Sequence, residues 1–184
     1  MNIQRAIGAI ELRSIAKGIE ATDTMLKTAN IFTIFSGTTC PGKYLIVIGG
    51  DVGAVENSMK SGEEICQEYL VDSTIIPNVS DQVFPAIECR TQVEKLKALA
   101  IVETFSLVGS ICAGDIMVKA ADISLIEIRL AKGLGGKAFA IGTGNVGDCE
   151  AAINAVKEDF KENNLMIECV VIPSPHQDIE DIIF

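Results

Sequence analysis

Hydrophobic and polar positions follow two spacings along the chain, and their alternation predicts strands and helices. Ala6–Leu12 is a short apolar run typical of a strand. From Ser14 to Ala29 the apolar side chains recur at helical spacing, with Ser14 as a suitable N-cap. Ile31–Phe35 and Tyr44–Ile48 are rich in β-formers and flank a turn at Cys40-Pro41-Gly42. The pattern therefore predicts strand, helix, strand, turn and strand.

The next residues complete a six-element unit. Asp51 is expected to cap a helix that runs to about Tyr69, and Asp72–Pro77 is the last strand. Gly49–Gly53 lacks the Lys-Ser/Thr of a P-loop and places an acid at the helix start, so it predicts a tight turn into a capped helix rather than a phosphate site. The order β-α-β-β-α-β is the ferredoxin-like arrangement, of class α/β (α+β).

The whole unit occurs twice. Residues 9–31 align without gaps on residues 101–123, and nine of the 23 positions are identical. Gly42-Lys43 then aligns with Gly136-Lys137 after a two-residue shift. The sequence therefore predicts a tandem duplication, with a first domain at 1–90, a second at 91–184, and a connector at 78–97.

Two similar domains in one chain also have a consequence for assembly. Pseudo-symmetric chains commonly form cyclic oligomers with twice the subunit symmetry. A trimer of such chains would therefore be pseudo-hexameric, with the two kinds of inter-strand loop alternating around its axis.

Composition narrows the possible partners. Hydrophobic residues make up 48% of the 184 positions and the mean hydropathy is +0.35, which either a buried subunit interface or an apolar monomer core would explain. The net charge is −10, with no Lys/Arg cluster longer than two residues, so nucleic acid is not an expected partner. Uncharged runs are too short and too polar to span a bilayer, so no membrane is expected either.

The first residues, the cysteines and the lack of catalytic motifs together predict a protein with reduced thiols and no enzymatic activity. The first residues lack a continuous apolar stretch, so no signal peptide is expected. Six cysteines without a C-x-x-C pair are typical of reduced thiols in the cytoplasm. The sequence shows no catalytic triad, paired carboxylates or histidine-rich metal site, which argues against an enzyme.

Several motifs carry a family resemblance. The run Ala6–Leu12, followed by Asp23-x-Met25-x-Lys27-x-Ala29, resembles the bacterial microcompartment shell domain, as do Gly50–Val55 and Val171–His176. The resemblance implies a trimeric, hexagon-shaped tile of a polyhedral protein shell in the cytoplasm, with neighbouring shell proteins as partners. Within the family, the loop Cys40-Pro41-Gly42-Lys43 is similar to that of tandem-domain members of the PduT type.

For members of that type, the resemblance implies an iron–sulfur cluster on the loop cysteine at a central pore. One thiolate cannot hold a cluster, which normally needs three or four, but three copies of Cys40 around a threefold axis would supply three. A 4Fe-4S cluster on Cys40 is therefore expected, with the fourth iron left to another ligand. The alternative is that Cys40 is a structural thiol, although its polar Thr-Thr-Cys-Pro-Gly turn is unusual for one.

The pore-lining residues are expected from both loops. The second loop contains no sulfur, so only three thiols would face the pore. Lys43 and Lys137 either place positive charge near an anionic cluster or are simply solvated. The other five cysteines are expected to be structural. The expected pore-lining set is Thr39, Cys40, Pro41, Gly42, Lys43, Leu134, Gly135, Gly136 and Lys137.

Two lysines are candidates for contacts between tiles. Lys27 and Lys119 each follow an aspartate by four residues, a spacing that allows an ion pair on a helix surface. The resemblance implies that this lysine lies at the tile edge and contacts the next tile. Members of the family often carry an arginine after Ile-Pro, but this chain has Asn78 and Ser174 there, which weakens the assignment.

The resulting hypothesis is a shell tile whose cluster transfers electrons across the shell or serves as a store of the cluster itself, with an encapsulated redox enzyme as a further partner. One alternative is a shell protein whose loops line a metabolite pore without a cluster. Another is a ferredoxin-like regulatory module that binds a small ligand between subunits.

Overall fold

The computed structural model describes residues 5–93, 95–130, 133–163 and 165–179. Its first half has the predicted β-α-β-β-α-β order, with a short 3-10 helix at Gln67–Tyr69 before the last strand. The elements are β1 Arg5–Leu12, α1 Ile15–Thr28, β2 Ile31–Thr39, β3 Lys43–Asp51, α2 Val52–Cys66 and β4 Leu70–Ile76.

The second half repeats this order after one extra short helix, α3 Val83–Ile87. A 3-10 helix at Gln177–Ile179 follows the last strand. The repeated elements are β5 Ala98–Thr104, α4 Leu107–Ala120, β6 Ile123–Leu130, β7 Ala138–Gly144, α5 Val146–Asp159 and β8 Met166–Ile172.

Each half forms its own four-stranded antiparallel sheet. The strand order is β2-β3-β1-β4 in one and β6-β7-β5-β8 in the other, which is the ferredoxin-like order twice. Even the irregularity is duplicated, because the register shifts between Thr33 and Phe35 and again between Leu125 and Glu127. The predicted fold class and the duplication are confirmed.

The hairpin strands extend further than their apolar cores. β2 continues through the polar residues after Phe35 to Thr39, and β3 continues through Gly49 and Gly50 to Asp51. The expected tight turn at these glycines is wrong. Gly49 lies against the Phe32 ring of β2, and a Cβ there would come within 2.5 Å of it, so the residue makes room for strand packing.

Helices α1 and α2 begin where the sequence predicts, but only one of their N-cap side chains makes a capping hydrogen bond. The Ser14 side chain accepts a hydrogen bond from the amide of Lys17 at 3.3 Å, as an N-cap should. Asp51 occupies the N-cap position of α2, but its side chain makes no capping hydrogen bond.

The core of the first half lies between its sheet and its two helices. α1 packs on α2, and both helices contact β1 and β3. Gly18 lets α1 lie close to Tyr44 of β3, since a Cβ at this position would come within 2.3 Å of the Tyr44 ring. The buried cluster comprises Ala6, Ile10, Leu12, Ala21, Met25, Tyr44, Ile46, Ile48, Val55, Met59 and Cys66.

The described residues form two compact units. The first contains residues 5–79 together with 106–108 and 133–136, and the second contains the remainder from Ser80 onward. The chain therefore passes from the first unit to the second between Val79 and Ser80, whereas the predicted domain division lies after residue 90. Much of the expected connector is folded on the second unit: α3 packs on β6, and the Gln82 side chain bonds the backbone of Ile123 and Leu125.

The second unit has a core of its own, partly covered by the segment that precedes β5. Leu99, Ile126 and Ile141 are buried there, with Val93 and Leu96 packed against them. Among the described residues, no helix is long and apolar enough to cross a membrane.

Candidate functional site: the two inter-strand loops

Cys40 lies at the tip of the β2–β3 hairpin. Thr39 ends β2 and pairs with Lys43, the first residue of β3, so the turn between them holds three residues. The Cys40–Pro41 peptide is cis, and Gly42 has a φ of +75°, a left-handed conformation that favours glycine. The sequence thus folds into a tight turn that carries a half-buried thiol.

The residue before the cysteine carries an unusual polar group. Thr39 is only 6% exposed, and its hydroxyl has no hydrogen-bond partner among the residues that the structure describes. A buried unsatisfied hydroxyl costs about 1–3 kcal/mol, so such groups are rare in folded proteins. This orphan donor lies immediately beside the candidate ligand in the chain.

The residue after the turn is held by a buried carboxylate. Lys43 Nζ lies 2.7 Å from Glu11 Oε1, and the side chain of Glu11 is fully buried in β1. The second oxygen, Oε2, accepts a hydrogen bond from the amide of Leu107 at 3.0 Å, within the same compact unit. The ammonium of Lys43 is therefore committed to Glu11, a partner that sequence reasoning missed.

The duplication repeats this pair in a more exposed form. Lys137 Nζ lies 3.0 Å from Glu103 Oε1, and the two side chains are 50% and 35% exposed. The signal for both pairs was present in the sequence, because glutamate and lysine recur together at aligned positions of the two halves. Their pairing required the register that brings β1 beside β3 and β5 beside β7.

The second loop is built differently from the first. Gly133, Gly135 and Gly136 have φ values of +82°, +63° and +89°. A Cβ at Gly136 would lie 3.0 Å from Pro41 Cδ and 3.5 Å from the carbonyl oxygen of Cys40. Within the first unit, the structure therefore brings the end of the glycine-rich loop against the Cys40 turn.

No cluster of three or more His, Cys, Asp or Glu side chains that could hold a metal ion is found in the described ranges. Cys40 therefore belongs to no such group in the described ranges. A cluster normally needs three or four cysteine ligands, so a cluster on Cys40 would need thiolates from further copies of the chain.

Two other cysteines are core residues. Cys66 is buried and its thiol donates to the carbonyl of Gly62, while the buried Cys149 donates to the carbonyl of Ala98. Burial raises the pKa of both thiols. These are the structural thiols that the sequence predicts.

The remaining cysteines have mixed surroundings. Cys169 is half-buried and lies beside Met166, and burial raises the pKa of its thiol. Cys112 is half-buried within α4. Cys89 is exposed, and its thiol lies 3.4 Å from a carboxylate oxygen of Glu127.

The candidate edge lysines form the helix-surface pairs that their spacing allows. Lys27 bonds Asp23 at 2.5 Å on the exposed side of α1. Lys119 bonds Asp115 at the same distance, but Asp115 is buried, and its other oxygen accepts from the amide of Ser80. The two lysines, equivalent in sequence, therefore differ in environment.

The chain matches the BMC domain family twice, at residues 6–79 and 98–175. It therefore belongs to the BMC-domain family, the shell proteins of bacterial microcompartments, and it is a structural component of such a shell rather than an enzyme.

Two shell proteins of known name are similar to this chain. The chain is 43% identical to the shell protein PduT of Citrobacter freundii over 175 residues, which cover 95% of each chain. It is 36% identical over 87 residues to the shell protein EutM of Salmonella typhimurium, covering 47% of this chain and 88% of that one. The PduT-type resemblance is thus confirmed across the chain.

Two solved structures of microcompartment proteins have the same fold as this chain. A microcompartment protein from Desulfitobacterium hafniense superposes with a TM-score of 0.90 at 40% identity, covering 97% of this chain and 99% of that one. The fused, permuted hexameric shell protein MSM0275 shares the fold, with a TM-score of 0.64 at 19% identity over 88% and 86% of the two chains.

Proposed function

We propose that this shell protein is a homotrimeric tile that carries a 4Fe-4S cluster on three copies of Cys40. The single observation that carries the proposal is the placement of one half-buried thiol at the tip of a tight hairpin, next to a buried hydroxyl without a partner among the described residues. The other thiols described above lie on helices or strands or follow α3.

The donor set fits a shared site. Three symmetry-related thiolates would leave one iron for another ligand, which is a chemically reasonable arrangement for such a cluster. The Thr39 hydroxyl is buried within its own chain and is not proposed as a ligand. When bound, such a cluster would supply one-electron chemistry at the shell, with an encapsulated redox enzyme as the proposed electron partner.

Exposed apolar surface supports the trimer. In the single chain, Ile15, Ile19 and Leu26 of α1 are 41%, 57% and 44% exposed. Phe32 and Phe105 are at least half exposed. Large apolar side chains left in water favour association, and this pseudo-symmetric chain is suited to a cyclic assembly. Lys27 and Lys119 are proposed to contact neighbouring tiles, with Lys27 the more accessible.

The test is anaerobic purification and reconstitution of the wild type, the Cys40→Ala variant and a Cys89→Ala control. We expect about four iron atoms and four sulfides per three chains in the wild type and the control. Cys40→Ala should lose both while retaining the mass of a trimer by sedimentation. Iron retained by Cys40→Ala would contradict the assignment. An iron-free wild type would favour the alternative, in which the loops line a metabolite pore.

A further inference from the structure

Glu11 is the fully buried partner of the Cys40 hairpin. A carboxylate removed from water is costly unless both oxygens are paired, and here each oxygen has a partner. Lys43 binds one oxygen at 2.7 Å and the amide of Leu107 binds the other at 3.0 Å. These bonds connect the hairpin, a central strand and the Ser106–Val108 segment of the first unit.

Glu11 lies on a central strand of the sheet. β1 is flanked by β3 and β4, and Glu11 lies opposite Leu45 on one side and Asp72 on the other. Lys43 is the first residue after the three-residue turn, so fixing its side chain fixes the end of the turn. A Cβ at Gly136 would also lie 3.6 Å from Lys43 Nζ, which places the ammonium near the second loop.

We propose that Glu11 is a positioning residue for Cys40, acting through Lys43. The bonds from Glu11 to Lys43 and to the Leu107 amide hold the hairpin, so the Cys40 thiol keeps one orientation. Three copies of the thiol can then bind one ligand without first having to order the hairpin. Its purpose rests on the proposed cluster role of Cys40. The equivalent pair, Glu103 and Lys137, is more exposed and belongs to a loop without sulfur, which makes it the matched control.

The test uses iron-free, full-length protein, so that its result does not depend on cluster binding. Cys40 alkylation by iodoacetamide is followed by peptide mass spectrometry, together with hydrogen exchange over residues 39–44. We expect Glu11→Gln to speed Cys40 alkylation on the order of tenfold, because the hairpin opens more often. Glu103→Gln should leave the rate unchanged.

A second pair of variants separates positioning from general stability. Lys43→Met leaves a buried carboxylate unpaired and should loosen the hairpin more than Glu11→Gln does. Glu11→Gln added to Lys43→Met should rescue the hairpin, returning Cys40 alkylation to the level of Glu11→Gln alone.

Three outcomes would overturn the proposal: an unchanged Cys40 rate in Glu11→Gln, an equal change in Glu103→Gln, or additive effects in the double variant. Buried Cys66 reports global unfolding, and a parallel rise in its alkylation would also overturn it. If the wild type binds no iron but these rates behave as expected, the cluster proposal fails and the positioning role stands.

Discussion

At the residue scale, the buried hydroxyls of Thr39 and Thr143 differ in their hydrogen bonds. Both are buried, yet the Thr143 hydroxyl accepts from the amide of Lys97 and donates to the carbonyl of Ala98, each at 2.9 Å. Thr39 has no such partner in the described part of the chain. A hydroxyl kept in that state beside Cys40 is consistent with a role for the loop beyond stability.

Replacing each threonine by valine tests this contrast. Thr39→Val removes an unsatisfied donor at nearly constant volume and should raise the free energy of unfolding by about 1–2 kcal/mol. Thr143→Val leaves the Lys97 amide without its acceptor and should lower it by about 1–3 kcal/mol. Urea denaturation of the iron-free protein measures both. Equal destabilisation by the two changes would show that the Thr39 hydroxyl has a partner in solution.

At the element scale, the two N-caps of the first repeat occupy the same position with different bonds. Ser14 bonds the first turn of α1, whereas Asp51 contributes only charge near the start of α2. Residue type alone made both equally good candidates, because serine and aspartate are both preferred caps.

Alanine substitutions at these positions should therefore differ in cost. Ser14→Ala should lower the free energy of unfolding by about 1 kcal/mol, since it removes a capping bond. Asp51→Ala should cost only a few tenths of that, roughly 0.3 kcal/mol, from the lost interaction with the helix dipole. Chemical denaturation at low and high salt checks both values, and salt should reduce only the Asp51 effect. A larger cost for Asp51→Ala would contradict the capping geometry.

The same scale explains which element boundaries were predictable. The apolar runs locate each strand, but β2 and β3 extend beyond them, because backbone pairing continues through the polar Ser36–Thr39 segment and through Gly49–Gly50. The helix α3 was missed, since five residues around Pro85 are too few to show helical periodicity. It exists because the segment packs on β6.

At the scale of the whole molecule, buried thiols couple stability to alkaline pH. Burial raises the pKa of Cys66, Cys149 and Cys169 above the ordinary 9.0. Above pH 9 the unfolded chain loses these protons first, so the folded state binds more protons and its stability falls as pH rises. Below pH 8 both states are protonated and these thiols contribute no slope.

The expected result is an unfolding free energy that is insensitive to these groups at neutral pH and that declines above pH 9 under reducing conditions. A Cys66→Ala, Cys149→Ala variant should lose part of this decline, although its stability at neutral pH will be lower. Urea denaturation between pH 7 and pH 10.5 measures the slope. An identical alkaline slope in the variant would exclude the buried thiols as its cause.

The sequence by itself determined the repeated β-α-β-β-α-β order, the duplication, the family resemblance and the loop that carries Cys40. The element order and the duplication follow from local periodicity and from identities between the halves, and the family follows from motifs that resemble the shell domain. None of these depends on tertiary contacts. Only the tertiary structure decided that Glu11 is the partner of Lys43, that the buried Thr39 hydroxyl has no partner among the described residues, and that Gly136 lies against Pro41. Each depends on strand register and on burial, which bring together residues that are distant in the chain.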